Sequence, residues 1–144
     1  MFLLLVDNHS NPGIKMDYKV FAPQQMNQTF VRAFNSRQID NLMLLYQPDA
    51  VLVRLDGSLA RGTDQIRDEL SKLLSRGIRA EGYNQFAITY GNTALLRANF
   101  TITFPGENGQ ETSIQGSSSE VVSQQPDGSW LYIIDHPFGA DAKE

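Results

Sequence analysis

The sequence predicts an α+β domain in which three N-terminal helices pack inside a strongly curved antiparallel β-sheet. Apolar residues recur with helical spacing in the first half of the 144-residue chain. From residue 78 onwards, apolar and polar residues alternate instead, and glycine-containing turn sequences separate the alternating stretches. Helices gathered at one end of a chain and hairpin-connected strands at the other are typical of the α+β class.

The first two predicted helices are short and amphipathic. Pro23 stands where a helix can begin without losing a needed backbone donor. Helical spacing places on one face of the first helix Met26, Phe30, Ala33 and Phe34. The same spacing recurs in the second helix for Ile39, Leu42, Met43 and Tyr46. We expect Pro48 to end this second helix.

Residues 62–77 contain the clearest helix signal of the chain. Thr63 can cap the start, Asp64 places a negative charge in the first turn, and Gly77 closes the end. The apolar stripe of this third helix consists of Ile66, Leu70, Leu73 and Leu74. Between the second and third helices, residues 50–55 predict a strand.

Four further strands are predicted after the third helix, at residues 78–90, 93–104, 110–125 and 130–136. Turn sequences at 91–92, 105–109 and 126–128 connect them as hairpins. Several of these strands exceed the usual length of about five or six residues, so we expect the sheet to curl around the helices. The curled sheet would enclose a hollow, which is the expected ligand site.

The composition excludes several classes of function. The net charge of −4 and the absence of any Lys/Arg run argue against a nucleic-acid binder. The chain has no cysteine, which excludes disulfides, thiolate nucleophiles and thiolate metal sites. Its only histidines, His9 and His136, are too few for a histidine-rich zinc site, and no acidic cluster has calcium-loop spacing. A carboxylate-only metal site remains possible on composition, but we expect neither a metal nor a cofactor.

The chain is predicted to form one domain with short extensions. We expect an N-terminal arm at residues 1–22, a cone-shaped domain at 23–140 and a C-terminal tail at 141–144. The apolar residues 2–6 are too few to cross a bilayer and follow no basic region, so they predict an edge strand or a loosely attached arm. Because no targeting segment is recognisable, we expect a cytoplasmic protein without membrane contact.

The last strand is apolar on both faces. Strict alternation would place on one face Trp130, Tyr132, Ile134 and His136. The other face would then carry Leu131, Ile133 and Asp135. The helices can cover one face, but no helix remains for the other. We therefore predict a homodimer that packs sheet to sheet.

Three stretches carry a family resemblance: "YQPDAVLVRLDG" at 46–57, "RGTDQIRDEL" at 61–70 and "SSEVVSQQPDGSWLYIIDHPFGA" at 118–140. With the order of elements, they make the chain resemble the nuclear transport factor two-like superfamily and its cystatin-like cone fold. Within that superfamily the chain is most similar to the SnoaL-like, ketosteroid-isomerase-like branch, over about residues 25–140. Because this superfamily includes isomerases, cyclases, dehydratases and non-catalytic binding modules, the resemblance implies a fold but no single activity.

The resemblance implies only part of the ketosteroid isomerase residue set. That family has a carboxylate base four residues after the alanine of an Asp-Ala pair, and here this position is Arg54, which cannot abstract a proton at neutral pH. The family's hydrogen-bonding acid corresponds to Glu120, eight residues before Gly128. Its tyrosine has no counterpart in the first helix, although Tyr46 could reach the hollow. Classical steroid isomerisation is therefore not expected.

The cyclase-like branch takes acid/base residues from strand ends, which implies Asp135 and His136 as catalytic candidates beside Glu120. Pro137 interrupts the strand at this point, so one of the two side chains can be re-aimed. We predict that His136 is the better proton carrier, because imidazole titrates near pH ~6.5. Structural alternatives remain: His136 solvated at a strand end, Asp135 in a turn beside Pro137, and Glu120 on the sheet surface.

Four further residues are predicted to line the pocket: Tyr46, Arg54, Asn99 and Trp130. Arg54 can pair with Asp49 or Glu120, or can hold a substrate carboxylate. Asn99 lies on the polar face of its strand, where solvent exposure is the alternative. Trp130 fits the core equally well.

Two functions remain open at this point. We favour a non-catalytic dimeric module whose hollow binds a small hydrophobic ligand. The alternative is a cofactor-independent isomerase, cyclase or lyase that transfers protons on an apolar carbonyl compound, with His136 or Glu120 as acid or base. Two ionisable side chains close together in an accessible cavity would favour the enzyme, and a cavity filled by Phe and Leu would favour the module.

Overall fold

A computed structural model of the chain describes residues 18–141. The predicted edge strand or arm at residues 2–6 and the residue His9 lie outside this range. Within the range, three helices pack against one seven-stranded sheet, so the predicted α+β class is confirmed. No helix between residues 18 and 141 combines the length and the apolar character needed to cross a membrane.

The helices follow from the apolar stripes of the sequence. A 3₁₀ turn at Pro23–Gln25 leads into α1 (Met26–Asn35), followed by α2 (Ile39–Met43) and α3 (Gly62–Ser75). The prediction that Pro48 ends the second helix is wrong, because α2 stops at Met43 and Pro48 lies within the next strand. Pro48 is tolerated there because the pairing of that strand is interrupted between Tyr46 and Val51, where no ladder donor is required.

The strands are β1 (Tyr46–Val53), β2 (Leu59–Arg61), β3 (Arg79–Tyr90), β4 (Thr93–Pro105), β5 (Glu111–Ser117), β6 (Ser119–Gln124) and β7 (Trp130–His136). Their order across the sheet is β2-β1-β7-β6-β4-β3, and β5 pairs with the second half of β4. The β1–β7 pair is parallel, and every other pair is antiparallel. All seven strands therefore belong to one sheet.

The predicted strand at 110–125 is divided into β5 and β6 at Ser118. Ser118 is buried, and its backbone N–H donates to the carbonyl of Ala98. Its hydroxyl accepts a hydrogen bond at 2.9 Å from the backbone N–H of Ala98. Because the side chain of Ser118 takes the place of a backbone acceptor, β4 keeps its hydrogen bonds where its partner changes from β6 to β5.

The core lies between the helices and the concave face of the sheet. Fully buried side chains from both layers meet there, among them Met26, Leu42, Ile66, Leu96 and Tyr132. Truncating an aliphatic side chain at such a site, as in Leu96→Ala, would cost about 2–5 kcal/mol of unfolding free energy. This packing holds the strands that carry the polar groups described below.

A β-bulge in β7 reverses the alternation of its side chains. Val122 of β6 is paired with Tyr132, but the preceding residue, Val121, is paired with Ile134, so Ile133 is an extra residue. Asp135 therefore lies on the same buried face as Tyr132, while Ile134 and His136 are exposed. The strict alternation predicted from the sequence is wrong beyond Ile133.

Candidate functional site

A cavity of about 220 Å³ lies between α1, α3 and the concave face of the sheet. Its walls are mainly apolar, with aromatic and aliphatic side chains such as Phe30, Phe34, Leu70, Phe100, Ile102 and Phe104. For comparison, a cavity of about 150 Å³ can hold a benzene molecule. The volume therefore suits a compound of one or two rings.

Two carboxyl groups face this apolar space from neighbouring strands. Glu120 of β6 and Asp135 of β7 are direct cross-strand partners, both line the cavity, and each is 5% exposed. Cβ atoms of such partners lie about 4.5–5.5 Å apart. At this separation two ionised carboxylates repel each other, and removal from water further disfavours their charged forms.

Burial raises the pKa of both carboxyls. The pKa of Glu120 rises to about 8, chiefly through burial and secondarily through the nearby charge of Asp135. Burial also raises the pKa of Asp135, to about 6. The two groups titrate as a pair, and near neutral pH that pair holds one proton. The short hydrogen bond from the Tyr46 hydroxyl favours Asp135 as the ionised member of the pair and Glu120 as the protonated one.

Tyr46 stabilises the ionised form of Asp135. The Tyr46 hydroxyl donates to Asp135 Oδ2 at 2.5 Å, and this hydrogen bond lowers the pKa of the carboxyl against the effect of burial. Burial and the charge of Asp135 together raise the pKa of Tyr46 well above 10, so its hydroxyl stays protonated. Tyr46 is placed by β1, where it is the parallel partner of Tyr132.

Asn27 and Tyr132 complete the polar network on the Glu120 side. The Tyr132 hydroxyl donates to Asn27 Oδ1 at 2.7 Å, and Asn27 Nδ2 donates to Glu120 Oε1 at 3.1 Å. Asn27 Nδ2 also donates to Asn84 Oδ1 at 3.0 Å. Hydrogen bonds from Ser118 and Asn27 counter part of the increase in the pKa of Glu120.

The spacing of residues in α1 could have identified Asn27 as a site residue, although the amino-acid composition could not. Asn27 precedes Phe30 by three residues and Phe34 by seven, so a polar side chain lies on the apolar face of α1. A buried amide in such a position requires hydrogen-bond partners, and here β3, β6 and β7 supply them. The sequence could not have identified Tyr132 as a site residue, because a buried tyrosine in a strand is usually an ordinary core residue.

The structure brings together three of the seven predicted site residues, and a fourth, Arg54, lines the same cavity. Glu120 and Asp135 line the cavity. Tyr46 does not line it, but its hydroxyl donates a hydrogen bond to Asp135. His136 is exposed and does not line the cavity, because the bulge in β7 turns it outward. The structure therefore does not support His136 as the proton carrier of this cavity.

The other predicted pocket residues have different surroundings. Arg54 does line the cavity, but Nε donates to Glu69 Oε1 at 3.2 Å, so the predicted pairing with Asp49 or Glu120 is wrong. Asn99 does not line this cavity; it is exposed at a second pocket, which Ser117 also lines, and it accepts a hydrogen bond from Ser117 at 2.8 Å. Trp130 is buried in the core and does not line the cavity.

Metal ligation finds no support in the part of the chain that the structure describes. Between residues 18 and 141, no group of three or more His, Cys, Asp or Glu side chains is arranged to hold a metal ion. The polar groups of the site are two carboxyls, two tyrosine hydroxyls and the amide of Asn27.

Comparison with known families agrees with this architecture. A family model described as the SnoaL-like domain matches residues 27–125, which is more than half of the chain. The chain belongs to the SnoaL-like domain family. No curated protein matches it. Both the resemblance and the cystatin-like fold expected from the sequence are confirmed.

Solved structures share the fold at low sequence identity. A ketosteroid isomerase-like protein from Erwinia carotovora atroseptica has a TM-score of 0.70 and 17% identity, over 79% of this chain and 90% of the other. A nuclear transport factor 2-like superfamily protein from Salmonella enterica has a TM-score of 0.68 and 16% identity, over 84% and 94%. A cystatin-like protein from Caulobacter vibrioides has a TM-score of 0.67 and 20% identity, over 78% and 83%. At these identities the likeness concerns the fold alone.

Proposed function

We propose that this SnoaL-like protein is a cofactor-independent enzyme that transfers protons on a small apolar carbonyl compound bound in the cavity. The observation that carries the proposal is the pair of buried carboxyls, Glu120 and Asp135, facing a cavity with mainly apolar walls. Buried titratable groups with shifted pKa values and a specific charged neighbour are typical of acid/base sites. The reaction class is isomerisation, with cyclisation or elimination as related proton-transfer chemistry.

The two carboxyls have different roles in this proposal. Asp135 is ionised near neutral pH and acts as the general base. Glu120 is protonated and acts as the general acid, donating a hydrogen bond to the carbonyl oxygen of the bound compound. An acid and a base whose environments separate their pKa values are a recurrent arrangement in such enzymes.

The proposed isomerisation proceeds through an enol. Asp135 takes a proton from the carbon beside the carbonyl group, and the electron pair of that C–H bond forms a C=C bond. The carbonyl oxygen receives the proton of Glu120, so Glu120 becomes ionised as Asp135 becomes protonated. In a β,γ-unsaturated carbonyl compound, Asp135 then returns its proton to the γ-carbon and the C=C bond moves to the α,β position. The C=O bond re-forms, and the enol proton returns to Glu120. Neither an external oxidant nor a cofactor is needed.

The cavity walls favour an uncharged ligand. Aromatic and aliphatic side chains provide most of its surface, whereas the carboxyl pair would repel an anion bound near it. Arg54, which lines the same cavity, is already paired with Glu69 and also donates to the carbonyl of Leu59. These features support a neutral ketone or aldehyde with one or two rings.

Solvent deuterium exchange tests the proposal directly. We would incubate cyclohexanone and 2-tetralone with the protein in D₂O and follow deuterium at the carbons beside the carbonyl by NMR. The expected result is incorporation faster than in buffer with the wild type and loss of this excess in Asp135→Asn. Ketone binding in the cavity without exchange above the buffer rate would contradict the proposed chemistry.

A second candidate is the binding module without catalysis. The mainly apolar lining supports it, because such a cavity binds a hydrophobic ligand with or without proton transfer. Mass spectrometry of small molecules retained on purification would identify such a ligand. A retained compound without a carbonyl or an acidic C–H bond would favour this second function over the first.

We also propose that the protein forms a homodimer through the outer face of the sheet. Cross-strand pairing joins one continuous apolar row across five strands: Ile88, Leu95, Val121, Ile134 and Val51. Ile88 is 59% exposed, Leu95 45% and Ile134 43%. A contiguous apolar patch on an otherwise polar surface is typical of an interaction site, and a two-fold partner covers it with the same row.

A further inference from the structure

We propose that Asn27 is a positioning residue that fixes the proton of Glu120 on Oε2 by donating its own amide hydrogen to Oε1. Asn27 does not contact the proposed reacting carbon, and it would act through Glu120. The bearing of this inference on catalysis rests on the proposed function. The position of the proton on Glu120 does not rest on the proposed function, because it follows from the hydrogen bonds within the protein.

The orientation of the Asn27 amide follows from its three contact distances. Asn27 Oδ1 is 2.7 Å from the Tyr132 hydroxyl oxygen, a separation typical of O–H···O bonds at about 2.7–2.8 Å. Asn27 Nδ2 is 3.1 Å from Glu120 Oε1 and 3.0 Å from Asn84 Oδ1, close to the N–H···O mode of about 2.9–3.0 Å. The short contact therefore belongs to the amide oxygen and the two longer contacts to the amide nitrogen.

The reverse orientation of the amide would break this pattern. If Nδ2 faced Tyr132, the Tyr132 hydroxyl would have to donate to the backbone carbonyl of Met26, which is 3.5 Å away. Burial and the nearby carboxyls raise the pKa of Tyr132 well above 10, so its hydroxyl keeps a proton to donate. In the observed orientation both Nδ2 hydrogens and the amide oxygen of Asn27 have partners, as a buried amide requires.

The proton of Glu120 is placed by exclusion. Glu120 Oε1 accepts from Asn27, and in a protonated carboxyl the carbonyl oxygen is the stronger acceptor. This contact favours the hydroxyl of protonated Glu120 on Oε2. The other side chain that hydrogen-bonds this carboxyl is Ser118, whose Oγ already accepts from the backbone N–H of Ala98.

The hydroxyls of Tyr46 and Tyr132 already donate to Asp135 and Asn27. Neither tyrosine can donate to a ligand without breaking a buried hydrogen bond. The hydroxyl of Glu120 is therefore the strong hydrogen-bond donor that the carboxyl pair offers to a ligand.

The sign of a pKa change distinguishes the two amide orientations. A donor to Oε1 stabilises the ionised form of Glu120, so Asn27→Leu should raise the pKa of Glu120 by about one unit. In the reverse orientation the Glu120 hydroxyl would donate to Asn27 Oδ1, and Asn27→Leu would lower that pKa. Carbon-13 NMR of glutamate carboxyls, with Glu120 assigned by Glu120→Gln, measures this change without substrate. A fall in the pKa would overturn the proposal.

Two further measurements separate this effect from a general loss of structure. Asn84→Ala removes the other acceptor of Asn27 but leaves the bond to Glu120, so it should change the pKa of Glu120 much less than Asn27→Leu. If Asn27→Leu does not fold, the wild type is examined for NMR scalar coupling from Asn27 Nδ2 to the Glu120 carboxyl carbon. Observed coupling supports donation to Oε1, and its absence while the amide protons are visible contradicts the proposal. A failed ketone exchange assay would leave both results unchanged.

Discussion

Glu120 and Asp135 face each other directly across the β6–β7 pair, and both side chains are buried beside the apolar cavity. Like charges placed opposite each other on adjacent strands destabilise a sheet. The pair is tolerated because one member keeps its proton while the other accepts a hydrogen bond from Tyr46. The same arrangement holds an acid and a base side by side at neutral pH.

The stability of the protein should depend on the proton of Glu120. Because the folded pKa of this carboxyl is raised from 4.5 to about 8, the folded state keeps a proton that the unfolded state releases in this interval. The free energy of unfolding should therefore fall as pH rises from about 5 to 8, by up to about 1.4 kcal/mol per pH unit for one proton. Glu120→Gln cannot lose a proton and should give a shallower slope in urea denaturation.

A control distinguishes this effect from the charge of the whole chain. Glu107 is exposed in the turn after β4, and Glu107→Gln makes the same Glu-to-Gln substitution outside the carboxyl pair. This variant should keep the slope of the wild type. Equal slopes in the wild type and Glu120→Gln would mean that Glu120 has no raised pKa in the folded state.

Adjacent residues of β7 provide a matched test of the catalytic assignment. Asp135→Asn removes the proposed base and should lower the ketone exchange rate by about 10²- to 10⁴-fold. His136→Gln should leave the rate within about twofold, because the exposed His136 does not line the cavity. Deuterium incorporation under identical conditions measures both. A large loss in His136→Gln with little change in Asp135→Asn would reverse the assignment.

Tyr46 should set the acid side of the pH profile. Exchange requires ionised Asp135 and protonated Glu120, so its rate should be bell-shaped between about 6 and about 8. Tyr46→Phe removes the hydroxyl that lowers the pKa of Asp135, and the acid limb should move upward by about one unit. An acid limb that stays in place would show that Tyr46 does not control this carboxyl.

The proposed homodimer should depend on the outer apolar row. Ile134→Lys places a charge within that row and should shift the protein from dimer to monomer in sedimentation equilibrium. Leu44→Lys is a matched control, because Leu44 is similarly exposed, at 37%, but lies outside the sheet. A wild type that is monomeric at micromolar concentration would contradict the proposed interface.

The sequence predicted the fold well because its signals are local. The apolar stripes of α1 and α3 and the alternation along β4 are visible in a few turns or residues of chain. The end of α2 was missed because Pro48 is compatible with an interruption in strand pairing that no local pattern reveals. The division between β5 and β6 was missed because it depends on Ser118 bonding to Ala98 of another strand.

The site was predicted only in part, because its geometry depends on one extra residue. Glu120 and Asp135 were identified from residue type and family pattern, but the bulge at Ile133 decides which of Asp135 and His136 faces inward. A bulge is a property of two paired strands, and the sequence of β7 alone does not specify it. Asn27 could have been found, since a polar residue on an apolar helix face requires a buried partner.

A carboxyl titration of the wild-type protein tests the proton arrangement most directly. Carbon-13 NMR would follow the side-chain carboxyls of Glu120 and Asp135, assigned with Glu120→Gln and Asp135→Asn, from about pH 3 to pH 10. We expect Asp135 ionised and Glu120 protonated at pH 7, with both apparent pKa values above their ordinary range. Ionisation of both groups near pH ~4, as in exposed carboxyls, would leave no acid at neutral pH and would contradict the proposed chemistry.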